Sequence, residues 1–491
     1  MGRGKRVGAV VSALLAAAGG GAILAVATHP SPATTAPTER AAATSPADGV
    51  APSARRAGAG HVRAPGAKSD VAKTLPRTTT TTTLPAPGPG FTQASMTNRY
   101  EAELADRLAP VRHADPGCIL VTQGKTLLYQ SNATEPLVPG STEKLLVAAA
   151  ALDVLGPNYT YTTEVLAPAA PVRGVVSGLW VVGGGDPVLE EPRFDAWRVG
   201  QPRYRDDVFT NVDTLAAAVR AKGVTTVTGG VHGDDARYDS QRLNPYWPSY
   251  TEADGDINPL SALTLNMDYA YWLAGPSVVP PDPASYAAGR FAQLLHSIGV
   301  NAAPGADALP PAGSVVIASI QSPPLWEIIR GMLSASDNQI AELLLKEIGY
   351  HATGHGTTAA GLAVVKAVDT RLGIPWTGTV MYDGSGLSHY DRTTCRTLLG
   401  AFYLGDKPGF TALRDVSVAG ETGTMADRFL NPPLQGHLLA KTGSVDGAAS
   451  MVGEIDLSTP VRFAVVFNQP VPDYQLLAYE DAAVSAIASY P

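Results

Sequence analysis

The chain has 491 residues, a formal net charge of −8, and two cysteines. Its basic residues are scattered rather than gathered into a patch, which argues against nucleic acid as a partner. Neither cysteine has metal-ligand spacing, and no cofactor motif stands out, so the chemistry must come from side chains.

In chain order, Arg3, Lys5 and Arg6 precede an apolar run from Val7 to Ala27, long enough to span a bilayer. Ala25-Val26-Ala27 is an acceptable signal-peptidase site, and Gly19-Gly20-Gly21 weakens a helix centre by roughly 1 kcal/mol per glycine. Residues 1–28 therefore read as a retained anchor or a cleaved signal peptide, the anchor slightly favoured. Either way the positive flank stays in the cytoplasm and the rest is exported. Residues 29–94 are rich in Pro, Ala and Thr, with unbroken threonine from Thr78 to Thr83 and no apolar periodicity. Such a segment cannot bury a core and reads as a disordered tether. It would reach from about 50 Å as a flexible coil to about 200 Å as polyproline II.

Pro139-Gly140 followed by Leu145, Leu146, Val147 and Ala148 reads as a turn opening a helix. This places Ser141 and Lys144 one helical turn apart on one face. Lys144 is the only lysine with a serine three residues before it. A serine at a helix N-terminus is well placed for a developing alkoxide, whereas a lysine there is misplaced unless it works as a neutral amine. A serine hydroxyl needs such a base to become a nucleophile. Three causes should lower the Lys144 pKa: the helix N-terminus, burial, and the like charge of Lys441. The plainer alternative is an N-cap serine followed by a solvated lysine.

Farther along, Val175 to Val182 and Val224 to Val231 alternate like strands around a helix-like Thr214 to Lys222, the mark of an α+β module. A second helix is read over Tyr286 to Ile298. Ser336-Asp337-Asn338 opens an amphipathic helix carrying Ile340, Leu343, Leu344 and Ile348. The Ser336 hydroxyl suits a proton relay, and the Asn338 amide suits a substrate carbonyl. Lys441-Thr442-Gly443 lies in a strand-like stretch from Leu438 to Ile455. Lys441 and Thr442 together offer a cation and a hydroxyl donor to a terminal carboxylate, and Gly443 leaves the strand bare for a peptide to pair along it. Cys118 and Cys395 read as a disulfide or as buried thiols, the thiol favoured for Cys118 in its apolar run. His351 and His355 are four apart, but Gly354 interrupts them, so no metal is expected.

S-x-x-K, S-D-N and K-T-G in this order mark active-site-serine penicillin-binding proteins and class A β-lactamases. Gly184-Gly185-Asp186-Pro187-Val188-Leu189, Pro259 through Asn266, Asp383-Gly384-Ser385-Gly386-Leu387-Ser388, and Ala419-Gly420 through Arg428-Phe429 extend the likeness. From about residue 95 onward the chain resembles the class C low-molecular-mass penicillin-binding proteins, D-alanyl-D-alanine carboxypeptidases and endopeptidases that trim peptidoglycan. The long interval between Lys144 and Ser336 also resembles class C.

The resemblance implies a mixed α/β and α+β fold. An antiparallel sheet with helices on both faces would be built from 95–165 and 326–491, with an α+β domain inserted at 166–325. The small third domain that family members often carry should be missing, because only the Pro-rich Pro276 to Pro283 separates Trp272 from the next helix. By resemblance, Ser141, Lys144 and Ser336 are catalytic, while Asn338, Lys441, Thr442, Gly443 and Ser444 bind substrate. The backbone N–H groups of Ser141 and Ser444 would form the oxyanion hole. Peptidoglycan stem peptides are the implied partners and β-lactams covalent inhibitors, in an extracytoplasmic location. The rival readings are a β-lactamase or D-amino-acid esterase on the same scaffold, and a non-catalytic cell-wall protein.

Overall fold

Six antiparallel strands, in the order Ser417–Val418, Leu438–Val445, Ala448–Ile455, Val461–Asn468, Gly117–Gln123 and Thr126–Ser131, form the larger sheet. The computed structural model describes residues 98–111, 116–272, 279–456 and 459–489. The segments read as anchor or signal (1–28) and tether (29–94) lie outside these. Among the described residues no helix is long and apolar enough to cross a membrane.

All eight residues of Ala448–Ile455 are buried, which a central strand requires when both faces are covered. One face carries helices Lys144–Val154, Leu325–Ala335, Asn338–Thr353, Thr358–Leu372 and Cys395–Tyr403. The other face carries Asn98–Leu108 and Asp473–Ala488. Lys144–Val154 is surrounded rather than amphipathic: Leu145 through Ala151 are fully buried. A helix apolar on every side belongs in a core, and its run of alanines lets Asn338–Thr353 and Thr358–Leu372 pack closely around it.

The stretch from Leu438 to Ile455, read as one strand-like run, is a hairpin. Asp446-Gly447 makes the turn, with Gly447 at φ 75°. An Asp-Gly pair between alternating segments is a strong hairpin signal.

A second, four-stranded sheet orders Val315–Gln321, Thr162–Ala167, Leu179–Val182 and Val231–Asp234. Helices Val212–Ala221 and Pro283–Ser297 pack on it around Phe291, Leu215 and Val231. Both helices match the sequence reading to within a few residues. From Trp272 the chain reaches Pro283 through a segment of which 273–278 lie outside the described residues.

Cys118 and Cys395 are joined in a disulfide, with Cα atoms 6.1 Å apart. The thiol reading favoured for Cys118 is corrected. Its burial was inferred rightly, since both residues are fully buried, but the N-terminus of Cys395–Tyr403 sits directly over the strand. His351 and His355 do not share one helix face: the helix ends at Thr353, Gly354 caps it at φ 79°, and the His351 ring packs edge-on to Tyr159.

Candidate active site

Ser141 sits in a 3₁₀ turn, Gly140–Glu143, that runs directly into the buried helix beginning at Lys144. Gly140 adopts φ 52°, and a Cβ there would lie 2.9 Å from the Ser444 backbone nitrogen. That close approach brings the serine turn against the K-T-G strand. A second glycine closes the arrangement from the opposite side: a Cβ on Gly386 (φ 78°) would lie 2.1 Å from the Gly140 carbonyl oxygen.

Lys144 Nζ donates to Ser141 Oγ at 2.8 Å, Asn338 Oδ1 at 2.7 Å and the Ser385 carbonyl at 2.6 Å. These three acceptors use every proton of an ammonium. When the amine is neutral it has two protons and one lone pair, and of its three partners only the Ser141 hydroxyl has a proton to give. The geometry thus aims the lone pair at Ser141. The Asn338 amide is oriented by Nδ2 donating to the Asp256 carbonyl at 2.8 Å.

Burial pulls the Lys144 ammonium down to about 8, with Arg203 adding repulsion, against the opposing pull of Asp383, Asp337 and Glu342. The like charge that weighs most on Lys144 is that of Arg203, and the mutual repulsion of Lys144 and Lys441 shows chiefly on Lys441. Lys441 is fully buried, and its ammonium is held well below the usual lysine range by burial, then by Lys144 and Arg203. Its Nζ donates to Ser336 Oγ at 2.8 Å and the Thr442 carbonyl at 2.7 Å. Ser336 stands in the left-handed region, φ 61° and ψ 44°, where the helix Leu325–Ala335 ends. Asp337 then caps the next helix through the Ile340 N–H. One strained residue between two helices aims the Ser336 hydroxyl at Lys441.

Gly443 has a reason for bareness that the sequence did not disclose. A Cβ there would lie 2.4 Å from Ser450 Oγ, 2.6 Å from the Pro139 carbonyl and 2.8 Å from the Thr142 nitrogen. The serine turn, rather than a substrate strand, occupies that face. Gly443→Ala is expected to cost about 1–3 kcal/mol through overpacking and to slow acylation by displacing Ser141. Chemical denaturation and stopped-flow mixing with penicillin would measure the two effects.

The substrate cleft, about 440 Å³, is lined by Ser141, Ser336, Asn338, Thr442, Gly443 and Ser444, with Arg203, Tyr250, Asp256, Thr424 and His389 around them. The short Ser417–Val418 strand pairs only with Ala440 and Leu439. From Lys441 onward, that edge has no strand partner among the described residues, leaving it open for an extended peptide. Thr442 Oγ1 lies 2.7 Å from Thr424 Oγ1, so the A-G-x-x-G-T segment supports the K-T-G hydroxyl.

Three contributors escaped the sequence reading. Ser385 offers a carbonyl, invisible to side-chain reasoning, although its D-G-S-G-L-S stretch was noticed. Its loop is pinned by Glu342 Oε1, which accepts from Gly384 and Ser385 N–H at 2.8 Å each, and by Asp383, which accepts from Ser385, Gly386, Ser388 and Trp247. Arg203 comes from the inserted segment, where no motif marks it. Its Nε donates to the Ala335 carbonyl at 2.7 Å. Glu143, inside S-x-x-K, is fully buried with neither carboxyl oxygen hydrogen-bonded.

Glu143, Asp383 and Asp391 are the group among the described residues whose oxygens, within 4.8 Å of one another, could hold a metal. Their chemistry points to protons instead. Asp383 is saturated by N–H donors, whereas burial pushes Asp391 up to about 10 and Glu143 well above the carboxylate range. Burial raises all three carboxyls, Asp383 included, so protons compete for this cluster.

The pattern of the D-Ala-D-Ala carboxypeptidase 3 (S13) family matches residues 101–276 and 271–488. A D-alanyl-D-alanine carboxypeptidase of Actinomadura sp. (strain R39) is 30% identical over 74% of this chain and 79% of that protein. A carboxypeptidase of Mycobacterium tuberculosis is 33% identical over 70% and 74%. The crystal structure of penicillin-binding protein 4 from Haemophilus influenzae shares the fold, with a TM-score of 0.66 and 19% identity over 78% of this chain and 99% of that one. A buried lysine on a cleft serine, the three motifs gathered around it, and matches running through almost all of the described residues converge: the chain belongs to the D-Ala-D-Ala carboxypeptidase 3 (S13) family.

Proposed function

We propose that this protein is an exported serine D,D-peptidase that removes the terminal D-alanine from peptidoglycan stem peptides through an acyl-enzyme on Ser141. The observation that carries the reading is the 2.8 Å contact between Ser141 Oγ and the Nζ of a buried Lys144 whose pKa is lowered to about 8. Lys144 takes the hydroxyl proton as Ser141 Oγ attacks the penultimate carbonyl carbon. The backbone N–H groups of Ser141 and Ser444 receive the oxyanion. Ser336, bonded to Lys441, returns a proton to the leaving D-alanine amine; water then attacks the ester, its proton refilling Ser336 while Lys144 gives the serine proton back to Ser141 Oγ. β-Lactams acylate the same serine. The described residues lining the cleft include no glutamate to drive rapid hydrolysis of that adduct, which favours a peptidase over a β-lactamase.

In this reading, residues 95–165 and 326–491 form the catalytic unit, 166–325 the insertion, 29–94 a tether, and 1–28 an anchor or signal that places the enzyme outside the cytoplasm. The full burial of Lys441 refines the carboxylate site. Thr442 makes the direct contact, and Arg203, exposed in the cleft, supplies the accessible positive charge. Arg428 also lines the cleft but is paired with Glu480 and Asp481.

D-Alanine release from a stem pentapeptide ending in D-Ala-D-Ala tests the function; no release would overturn it. Amidating the C-terminus removes a charge-assisted contact worth about 1.5–3 kcal/mol, so kcat/KM should fall roughly 10- to 150-fold. Arg203→Ala should narrow that gap between acid and amide. An unchanged gap would remove Arg203 from the carboxylate site.

A further inference from the structure

Two exposed tyrosines, Tyr246 and Tyr390, and a half-buried third, Tyr382, gather beside the cleft. The rings of Tyr246 and Tyr382 are 4.6 Å apart, Tyr382 and Tyr390 5.8 Å, and Tyr246 and Tyr390 5.9 Å. Their planes are inclined at 54°, 57° and 76°, so the rings form a corner rather than a flat stack. Tyr246 is 46% and Tyr390 62% exposed, and Leu243, Tyr250 and Val380 extend the apolar surface along the same two segments. Among the described residues, none of the three phenol hydroxyls is recorded in a hydrogen bond to protein.

The corner is built rather than incidental. The Asn244 side chain donates to the Tyr382 carbonyl at 2.8 Å and accepts from the Tyr246 N–H at 3.0 Å, tying one segment to the other. The Tyr382 N–H donates to Asp391, the Tyr390 N–H donates to Ser388 Oγ, and Val380 and Arg392 exchange backbone hydrogen bonds around the loop. Apolar rings fixed in solvent with their polar ends free mark a recognition surface. The ligand that fits presents an apolar C–H face and a rim of hydroxyls, which describes a pyranose.

Both segments run directly into the cleft: Pro248 and Tyr250 follow Tyr246, and Leu387 and His389 precede Tyr390, all four lining it. Resting on the carboxypeptidase reading, we propose that Tyr246, Tyr382 and Tyr390 form a sugar-stacking subsite that grips the glycan strand bearing the stem peptide. A stem of four or five residues spans roughly 15 Å when extended, so a sugar necessarily lies near any stem seated in the cleft.

The full-length protein is compared on two substrates, a free stem pentapeptide and the same stem on its N-acetylglucosaminyl-N-acetylmuramyl disaccharide. Wild type should favour the disaccharide form by roughly 3- to 10-fold in kcat/KM. Tyr390→Ala and the Tyr246→Ala/Tyr390→Ala double variant should lose that preference while cleaving the free peptide at the wild-type rate, with melting temperatures recorded alongside. Tri-N-acetylchitotriose should quench or shift tyrosine fluorescence in wild type only. Equal wild-type rates on both substrates, or variants slowed equally on both, would overturn the subsite while leaving the carboxypeptidase reading intact. A variant that instead changes sedimentation from dimer to monomer would make the corner a self-contact and likewise end the sugar reading. Absence of D-alanine release from either substrate would reject the underlying function.

Discussion

Ser141→Ala should eliminate labelling by a fluorescent penicillin and lower D-alanine release by more than roughly 10⁴-fold, the scale on which removing a nucleophile acts when the rest of its apparatus stays in place. The fold should persist, because Ser141 is only partly buried and its Oγ hydrogen-bonds to Lys144 alone among the described residues. The Lys144 ammonium would retain Asn338 Oδ1 and the Ser385 carbonyl as acceptors. Gel fluorescence after incubation with labelled penicillin, together with peptide mapping of the wild-type adduct, checks both halves. Undiminished labelling of the alanine variant would assign the acyl group to another side chain.

Lys144→Arg should be nearly as damaging for a different reason. Arginine keeps the positive charge but cannot give it up in the working pH range, so the Ser141 proton has no acceptor and acylation collapses. In the wild type, the competent form is the neutral amine. Its fraction rises with pH, so acylation should climb about tenfold per unit below the Lys144 pKa of about 8 and level off above it. The inflection belongs to Lys144 coupled to Lys441, since the two charges repel. Acylation rates from about pH 5 to 10, with thermal melts of wild type, Lys144→Arg and the volume-preserving Lys144→Met, separate a lost base from a lost fold. A folded arginine variant acylating at the normal rate would show that the lysine is structural.

Which parts of this arrangement could be read in advance follows from where the information lies. Ser141, Lys144, Ser336, Asn338 and Lys441 announce themselves because their side-chain types are rare in such spacings, and two hydrogen-bonded groups hold them, Lys144 with Ser141 and Asn338, and Lys441 with Ser336. The Ser385 carbonyl could not be found that way, because every residue has a carbonyl and only the loop fixed by Asp383 and Glu342 selects this one. Arg203 was illegible for a related reason: its position depends on how the inserted segment seats on Ala335, a tertiary fact with no local pattern. The cysteines illustrate the same limit. Apolar neighbours foretell burial of Cys118, but pairing depends on a strand and a helix end separated by 277 residues. Periodicity served well where one face meets water, as in Val212–Ala221, and less well at Leu438 to Ile455, where near-complete burial hid the hairpin.

The larger sheet joins the beginning of the folded chain to its end, since Gly117–Gln123 has Val461–Asn468 as its neighbour. A growing chain therefore carries Ser141 and Lys144 long before it has the strand that completes their surroundings. Until Ser444 and Ser385 are in place, the serine turn lacks the strand it packs against and the lysine lacks an acceptor. Non-local pairing of this kind forms late, after the intervening loop has been closed. A chain cut short before its last strand would hold Ser141 and Lys144 beside a sheet whose central pairing is incomplete.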